Sequence, residues 1–159
     1  MIKSLLHHRI DLHNKAHLIF THVISNSDLH MLDTLVYAPC MIQERIQAKY
    51  ELRITVIEDM VFSARLDLPK TSWDDIHNTN DGQIIKTPIN LTGDDEEKCK
   101  QLMASLGLKY GAIDLVVDNT GRMVFLEVNP TGDWYWIEKS TGLPITETMV
   151  KLIQKYIRK

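Results

Sequence analysis

The feature that most constrains this chain is a pair of alternating segments, residues 112–118 and 123–129, joined by Asn119-Thr120-Gly121-Arg122. Ile113, Leu115 and Val117 take every second position of the first segment, and Val124, Leu126 and Val128 do so on the second. Period-two alternation fits a strand with one buried face, and two such runs around a Gly-containing turn predict a β-hairpin. With Asp118 and Met123 as partners flanking the turn, all six aliphatic residues fall on one face. The same register sets Asp114 directly opposite Glu127, with Asn129 on their side.

Two carboxylates directly opposed on a sheet repel each other. A hard divalent cation offsets that repulsion, because Mg²⁺ takes oxygen ligands from one or two carboxylates and shares its other positions with phosphate oxygens and water. The amide oxygen of Asn129 would be a third, neutral oxygen. The plainer alternative is a solvated outer face that carries two acids.

Composition narrows the class. The 159 residues suffice for one domain with its own core, and no repeat, low-complexity tract or linker divides them, so residues 1–159 read as one domain. A hydrophobic share of 44% with 25% charged residues argues against wholesale disorder. A net charge of −3 argues against a chain held to nucleic acid by bulk electrostatics. No apolar run reaches the ~18 residues of a membrane span, so no membrane partner is expected. The opening Met1-Ile2-Lys3-Ser4-Leu5-Leu6-His7-His8 holds too short an apolar stretch for a secretory signal. Cys40 and Cys99 form neither a disulfide framework nor a metal-knuckle spacing, and they sit on apolar stretches as small core residues. A reduced, cytoplasmic setting is expected.

The remaining segments predict mixed secondary structure. A helix runs from an N-cap at Ser27 to about residue 36, with Leu29, Leu32 and Leu35 at helical spacing, and Pro39 prevents its continuation. Residues 41–46 read as a short strand with a polar end. Residues 52–57 and 61–66 read as a second hairpin around Glu58-Asp59-Met60, and residues 69–91 as loop. Thr92 and the acids Asp94, Asp95, Glu96 and Glu97 open a helix whose apolar stripe is Cys99, Leu102, Met103 and Leu106, ended by Gly107. A last helix begins at Pro144, with Ile145, Met149, Leu152, Ile153 and Tyr156 toward the core. The fold class expected is α+β.

Several residues carry two readings. Arg53 opens a strand, where its guanidinium could stabilise charge on a transferred phosphoryl group or pair with Glu51 or another acid. Taken alone, Lys3 reads as a solvated charge, and Lys86 as a phosphate contact in a segment without a placed element. Trp134-Tyr135-Trp136 would cover a substrate or simply pack. His13 and His17 have the i, i+4 spacing of helical metal ligands but lack the acid of a metalloprotease motif, which favours surface histidines.

Beside these readings stands a resemblance. Asp114 followed by Phe125-Leu126-Glu127-Val128-Asn129-Pro130 resembles the metal-binding end of the ATP-grasp fold. Phe20-Thr21-His22, Ala38-Pro39-Cys40, Gln43-Glu44, Glu51-Leu52-Arg53, Gly111-Ala112-Ile113-Asp114 and Glu138-Lys139-Ser140-Thr141-Gly142-Leu143-Pro144-Ile145 extend the likeness over nearly the whole chain. Together they resemble the ribosomal peptide maturases that make macrocycles of the microviridin or graspetide type. The resemblance implies an ATP-grasp-like antiparallel sheet with flanking helices, ATP and Mg²⁺ as cofactors, and a precursor peptide as substrate. Peptide Asp or Glu side chains would be activated as acyl phosphates and captured by hydroxyls or amines as esters or amides. It also implies that Asp114, Glu127 and Asn129 hold metal and that Arg53 steadies the activated intermediate. Lys3 with Gln43, Glu44, Arg45 and Ile46 would hold nucleotide, the last four as the hinge against adenine. Asp133 and Trp73-Asp74-Asp75 depart from the pattern, the latter putting acids where relatives tend to carry a basic residue.

Members of that branch carry a further N-terminal domain. The chain therefore reads as an N-terminally truncated, C-terminal portion, expected to turn over weakly or not at all alone. Surface left uncovered by such a truncation points to a homodimer or to a complementing N-terminal chain. Two other readings stay open: a non-catalytic nucleotide- or peptide-binding module, and a ligase of the same fold acting on small amino acids.

Overall fold

The computed structural model describes residues 1–4, 9–12, 15–18, 21–37, 39–69 and 83–157. These residues form two compact units, residues 1–47 with 69–83, and residues 48–68 with 84–159. His13, Phe20, Ala38 and Trp73-Asp74-Asp75 lie outside the described residues.

In the first unit, β1 (Ile2–Ser4) pairs antiparallel with β4 (Cys40–Ile42), setting Lys3 opposite Met41. β2 (Arg9–Leu12) pairs with β3 (Lys15–Leu18). His17 therefore sits on a strand. The helix expected from Ser27 spans Asn26–Tyr37 and is a 3₁₀ helix. Its cap is Ser25 rather than Ser27: the Ser25 N–H donates to Asp28 Oδ2 at 2.7 Å, and the Asp28 N–H donates back to the Ser25 carbonyl at 3.0 Å. This reciprocal bonding satisfies donors that a helix start leaves without partners. The strand expected over residues 41–46 stops at Ile42.

The second unit is built on a five-stranded antiparallel sheet in the order β7-β6-β5-β8-β9. β5 (Ala48–Ile57) and β6 (Met60–Asp67) form the expected hairpin, its turn tightened by Glu58 at φ +50°. β8 (Tyr110–Asp118) pairs with the other side of β5, and β9 (Met123–Asn129) closes the edge. β7 (Ile85–Ile89) occupies the opposite edge, in a segment the sequence presents as loop. It contains Pro88, which a sheet accepts at an edge because its missing N–H costs no ladder bond on the outer side.

Both faces of the central strand are covered, so residues 52–57 are buried without interruption. On one face Leu52, Ile54, Val56, Ile113 and Val117 pack against Cys99 and Met103 of α1 (Gly93–Ser105). This helix starts as expected: Thr92 Oγ1 accepts the Asp95 N–H at 3.3 Å, acids fill the first turn, and Gly107 follows the C-cap Leu106 at φ +67°. Burial also pushes the Cys99 thiol above its ordinary value, as suits a core residue.

On the other face lie Arg53, Thr55, Ile57, Ala112 and Asp114. α2 (Tyr135–Thr141) packs on β7, and α3 (Ile145–Ile157) packs on α2 and β5. α2 has no counterpart in the sequence expectation, because Trp134-Tyr135-Trp136 carries no helical stripe. Ile145 and Met149 of α3 are buried as expected, whereas Ile153 and Tyr156, expected toward the core, are each 49% exposed. No helix among the described residues is long and apolar enough to cross a membrane.

The register of the β8–β9 hairpin departs from expectation near its turn. Val117 pairs with Met123, Val116 with Val124 and Leu115 with Phe125, and Asp118 bonds back to Arg122. A bulge at Leu126 then shifts the ladder by one residue, so that Asp114 faces Glu127, Ile113 faces Val128 and Ala112 faces Asn129. The six aliphatic residues therefore do not share one face: Leu126 is 38% exposed, while Val116, on the Asp114 side of its strand, is buried.

Candidate functional site

Antiparallel pairing sends directly opposed side chains to the same side. Arg53 is opposite Asp114, which is opposite Glu127, so these three form one row across β5, β8 and β9. Ala112 and Asn129 form the next row on that face. The structure thus brings Asp114, Glu127, Asn129 and Arg53 together on one surface.

Arg53 is only 9% exposed. Its Nη1 donates to both carboxylate oxygens of Asp114, at 2.8 and 2.6 Å, and its Nη2 donates to the Asp133 carbonyl at 3.2 Å. The ion-pair reading of Arg53 is met by Asp114. Arg53 Nε and the hydroxyl of Thr55, two residues along the same face, are buried without a hydrogen-bond partner among the described residues. Glu127 is exposed at the open end of the row. The Asn129 side-chain oxygen accepts from the Thr131 N–H at 2.9 Å and the Thr131 hydroxyl at 3.1 Å, which shapes the turn after β9.

That turn continues over the sheet. A Cβ placed on Gly132 would lie 2.6 Å from the Ala112 Cβ and 2.8 Å from Arg53 Nη2, so only glycine lets the backbone approach so closely. Asp133 turns its carbonyl to Arg53 and its carboxylate to the Tyr135 N–H at 3.0 Å. Trp134 stacks edge-on against Tyr110 at 5.6 Å between centroids, and its Nε1 donates to Thr146 Oγ1 at 3.1 Å. Trp136 Nε1 donates to the Asp133 carbonyl at 3.1 Å, and Lys86 Nζ stands 5.3 Å from the centre of its ring. The aromatic cluster thus packs beside the site. Sequence reasoning passed over Tyr110 and Gly132, whose only signals were their closeness in number to Asp114 and Asn129.

The other expected nucleotide residues belong to the first unit. Lys3 lies on β1. The Gln43 N–H donates to the Met1 carbonyl at 3.0 Å, and the Gln43 carbonyl accepts from the Met1 amine at 2.8 Å, so the backbone groups of Gln43 are both taken. Glu44 and Arg45 are exposed and Ile46 is half-buried.

The chemistry of the donor set can be judged directly. Asp114 and Glu127 are hard oxygen donors in direct register, and each carboxylate has more acceptor positions than one cation or one guanidinium nitrogen fills. They fit Mg²⁺. Asn129 fits as a ligand only once its oxygen leaves Thr131. Among the described residues no group of three or more His, Cys, Asp or Glu gathers into a metal cluster.

Residues 11–153 match the model of the RimK-like ATP-grasp domain. The chain belongs to the RimK-like ATP-grasp family. A probable alpha-L-glutamate ligase 1 from Shewanella frigidimarina (strain NCIMB 400) is 28% identical over 125 residues, covering 76% of this chain and 40% of that protein. The RiPP-associated ATP-grasp ligase of Chryseobacterium gregarium, solved with ADP and a leader and core peptide, superposes with a TM-score of 0.86 at 27% identity. That match covers 98% of this chain and 48% of the other. The macrocyclase MdnC of Microcystis aeruginosa MRC, bound with precursor peptide MdnA, gives a TM-score of 0.81 at 29% identity, covering 97% and 49%. The ATP-grasp fold and the likeness to peptide macrocyclases expected from the motifs are therefore found. This ATP-grasp chain spans about 40% of the length of the curated relatives it matches, and about half of these solved ones.

Proposed function

We propose that this chain is the metal- and nucleotide-holding portion of an ATP-dependent ligase that activates side-chain carboxylates of a peptide. The observation that carries this reading is the row Arg53–Asp114–Glu127, a cation and two acids in direct register on one face of an ATP-grasp sheet. Asp114 and Glu127 would hold Mg²⁺, with Asn129 beside them. Bound Mg²⁺ supplies neutralisation of phosphate oxygens, which lets an anionic carboxylate approach the terminal phosphorus.

The chain's own residues prepare that encounter. Arg53 fixes the carboxylate plane of Asp114 and places a permanent positive charge at the inner end of the row. Glu127 stays exposed and so remains open to a solvent-borne cation. Lys3 and the segment Gln43, Glu44, Arg45 and Ile46 would hold the nucleotide. In the reaction proposed, a substrate carboxylate takes the terminal phosphoryl group of ATP and ADP leaves; a hydroxyl or amine then attacks the acyl phosphate, loses its proton and displaces phosphate to leave an ester or amide.

A peptide substrate is supported by the two solved relatives above, each bound to a peptide. A second reading, ligation of a small amino acid, is supported by the curated relatives named as glutamate ligases. One experiment separates them. The chain, with Mg-ATP, is offered a peptide carrying Asp, Glu, Ser, Thr and Lys, or free glutamate with an amine acceptor, and products are read by mass spectrometry. Loss of water from the peptide supports the first reading, and glutamate addition supports the second. Calorimetry with Mg-ATP that shows no binding removes both.

A further inference from the structure

Arg53 is held unevenly. Nη1 is fixed on Asp114, and among the described residues Nε has no partner and Nη2 has one acceptor, the Asp133 carbonyl. The orientation of the guanidinium, and with it the carboxylate of Asp114, therefore depends on where the backbone of residues 131–133 lies. That backbone has no side chain at Gly132 to wedge it in place. It is held instead by hydrogen bonds: the Gly132 N–H donates to the Asn129 carbonyl at 3.3 Å, Trp136 Nε1 donates to the Asp133 carbonyl, and the Tyr110 hydroxyl donates to the Gly132 carbonyl.

We propose that Tyr110 is a positioning residue of the candidate metal site: its hydroxyl fastens the turn at Gly132, so that Asp133 holds Arg53 and Arg53 holds Asp114. Tyr110 lies on β8, four residues before Asp114 and on the same face, so strand and turn are tied at both ends of one short stretch. Its ring is fixed in turn. Trp134 packs edge-on against it, Trp134 donates to Thr146, and Thr146 donates through both its N–H and its hydroxyl to Glu138 Oε2. Burial pushes the Tyr110 phenol above its ordinary value, in the same sense as the protonated, donating form that a phenol already holds at neutral pH. A close-packed glycine turn beneath a single hydroxyl transmits small displacements, because Ala112 and Arg53 leave no slack around it.

The latch itself rests on hydrogen bonds alone; its consequence for metal binding rests on the reading above. The test uses the full chain with Tyr110→Phe, which removes the hydroxyl and keeps the ring against Trp134. Side-chain NMR of the Arg53 guanidinium is expected to show restricted rotation in the wild type and faster rotation in the variant. Equal rotation in both overturns the latch. In the wild-type chain the Tyr110 hydroxyl proton is also expected to be protected and close to the Gly132–Asp133 peptide, and a freely exchanging proton overturns the latch even if the variant does not fold. Mn²⁺ binding read by electron paramagnetic resonance provides the second arm. Tyr110→Phe is expected to weaken it about tenfold, as removal of an outer partner does, and to add nothing further in an Arg53→Lys background. Additive losses mean that Tyr110 does not act through Arg53 and overturn the proposal. A wild-type chain that binds no Mn²⁺ sinks the metal assignment, and the NMR arm still decides the latch.

Discussion

Arg53 and Asp114 face each other across β5 and β8, with one guanidinium nitrogen of Arg53 2.8 and 2.6 Å from the two carboxylate oxygens of Asp114. The arginine side chain is 11% exposed and the aspartate 26%, so the pair sits at the inner margin of the site. It is at once part of the fold and part of the proposed chemistry, and substitutions there should separate the two.

Asp114→Ala leaves the guanidinium buried with its main acceptor gone. Breaking one side of such a pair costs about 3 kcal/mol, the lower end of the usual range because Asp114 is partly open to solvent. Urea denaturation should show the loss. Adding Arg53→Met should restore most of it, since an apolar side chain of similar length carries no stranded charge.

Glu127→Gln should behave in the opposite way. Glu127 is exposed, so its neutral isostere should change folding stability by less than about 0.5 kcal/mol. Affinity for Mn²⁺ should nevertheless fall by at least about tenfold. Unchanged affinity would remove Glu127 from the metal site without affecting the fold.

Gly132→Ala tests the close approach of the turn. The new methyl group would stand 2.6 Å from the Ala112 Cβ and 2.8 Å from Arg53 Nη2. Overpacking of this kind costs about 1–3 kcal/mol. Ala112→Gly in the same chain removes one of the two clashes and should recover part of the melting temperature. A Gly132→Ala chain as stable as the wild type would show that the turn lies farther from the sheet.

Acid should loosen the β8–β9 turn through Asp118. Its carboxylate accepts from the Thr120 hydroxyl, the Thr120 N–H and Arg122, which together hold its pKa at about 2 against an ordinary 3.8. The folded value lies below the unfolded one, so the contribution is complete above 3.8 and is lost as pH falls toward about 2. Carboxyl NMR should place the Asp118 midpoint near 2, and Asp118→Asn should abolish the acid-linked change at the turn.

The local rules wrote much of this chain into its sequence. Thr92 and the acids behind it fix the start of α1, Gly107 fixes its end, alternation marks the β8–β9 hairpin, and β-branched and aromatic runs mark the β5–β6 hairpin. Asp114 and Glu127 were legible as partners, although the bulge at Leu126 that produces this pairing was not. A bulge depends on how the turn at Asp118 and Arg122 bonds, and that turn's register is one residue off the register farther along the strands. β7 and α2 were equally hidden. An edge strand holding Pro88 and a short helix starting in aromatic residues carry no periodic signal, and each exists because the sheet offers it something to pack on.

By itself the sequence determined which residues alternate, where α1 begins and stops, and that Asp114 and Glu127 are the acids of one hairpin, with Asn129 on the same face of its strand as Glu127, because spacing along a strand is a local quantity. Only the tertiary structure decided that Arg53 sits beside those acids and that Tyr110 and Gly132 bear on Arg53. Residues 53, 114 and 133 are far apart along the chain, and hydrogen bonds across adjacent strands and one glycine turn are what bring them within 3.2 Å.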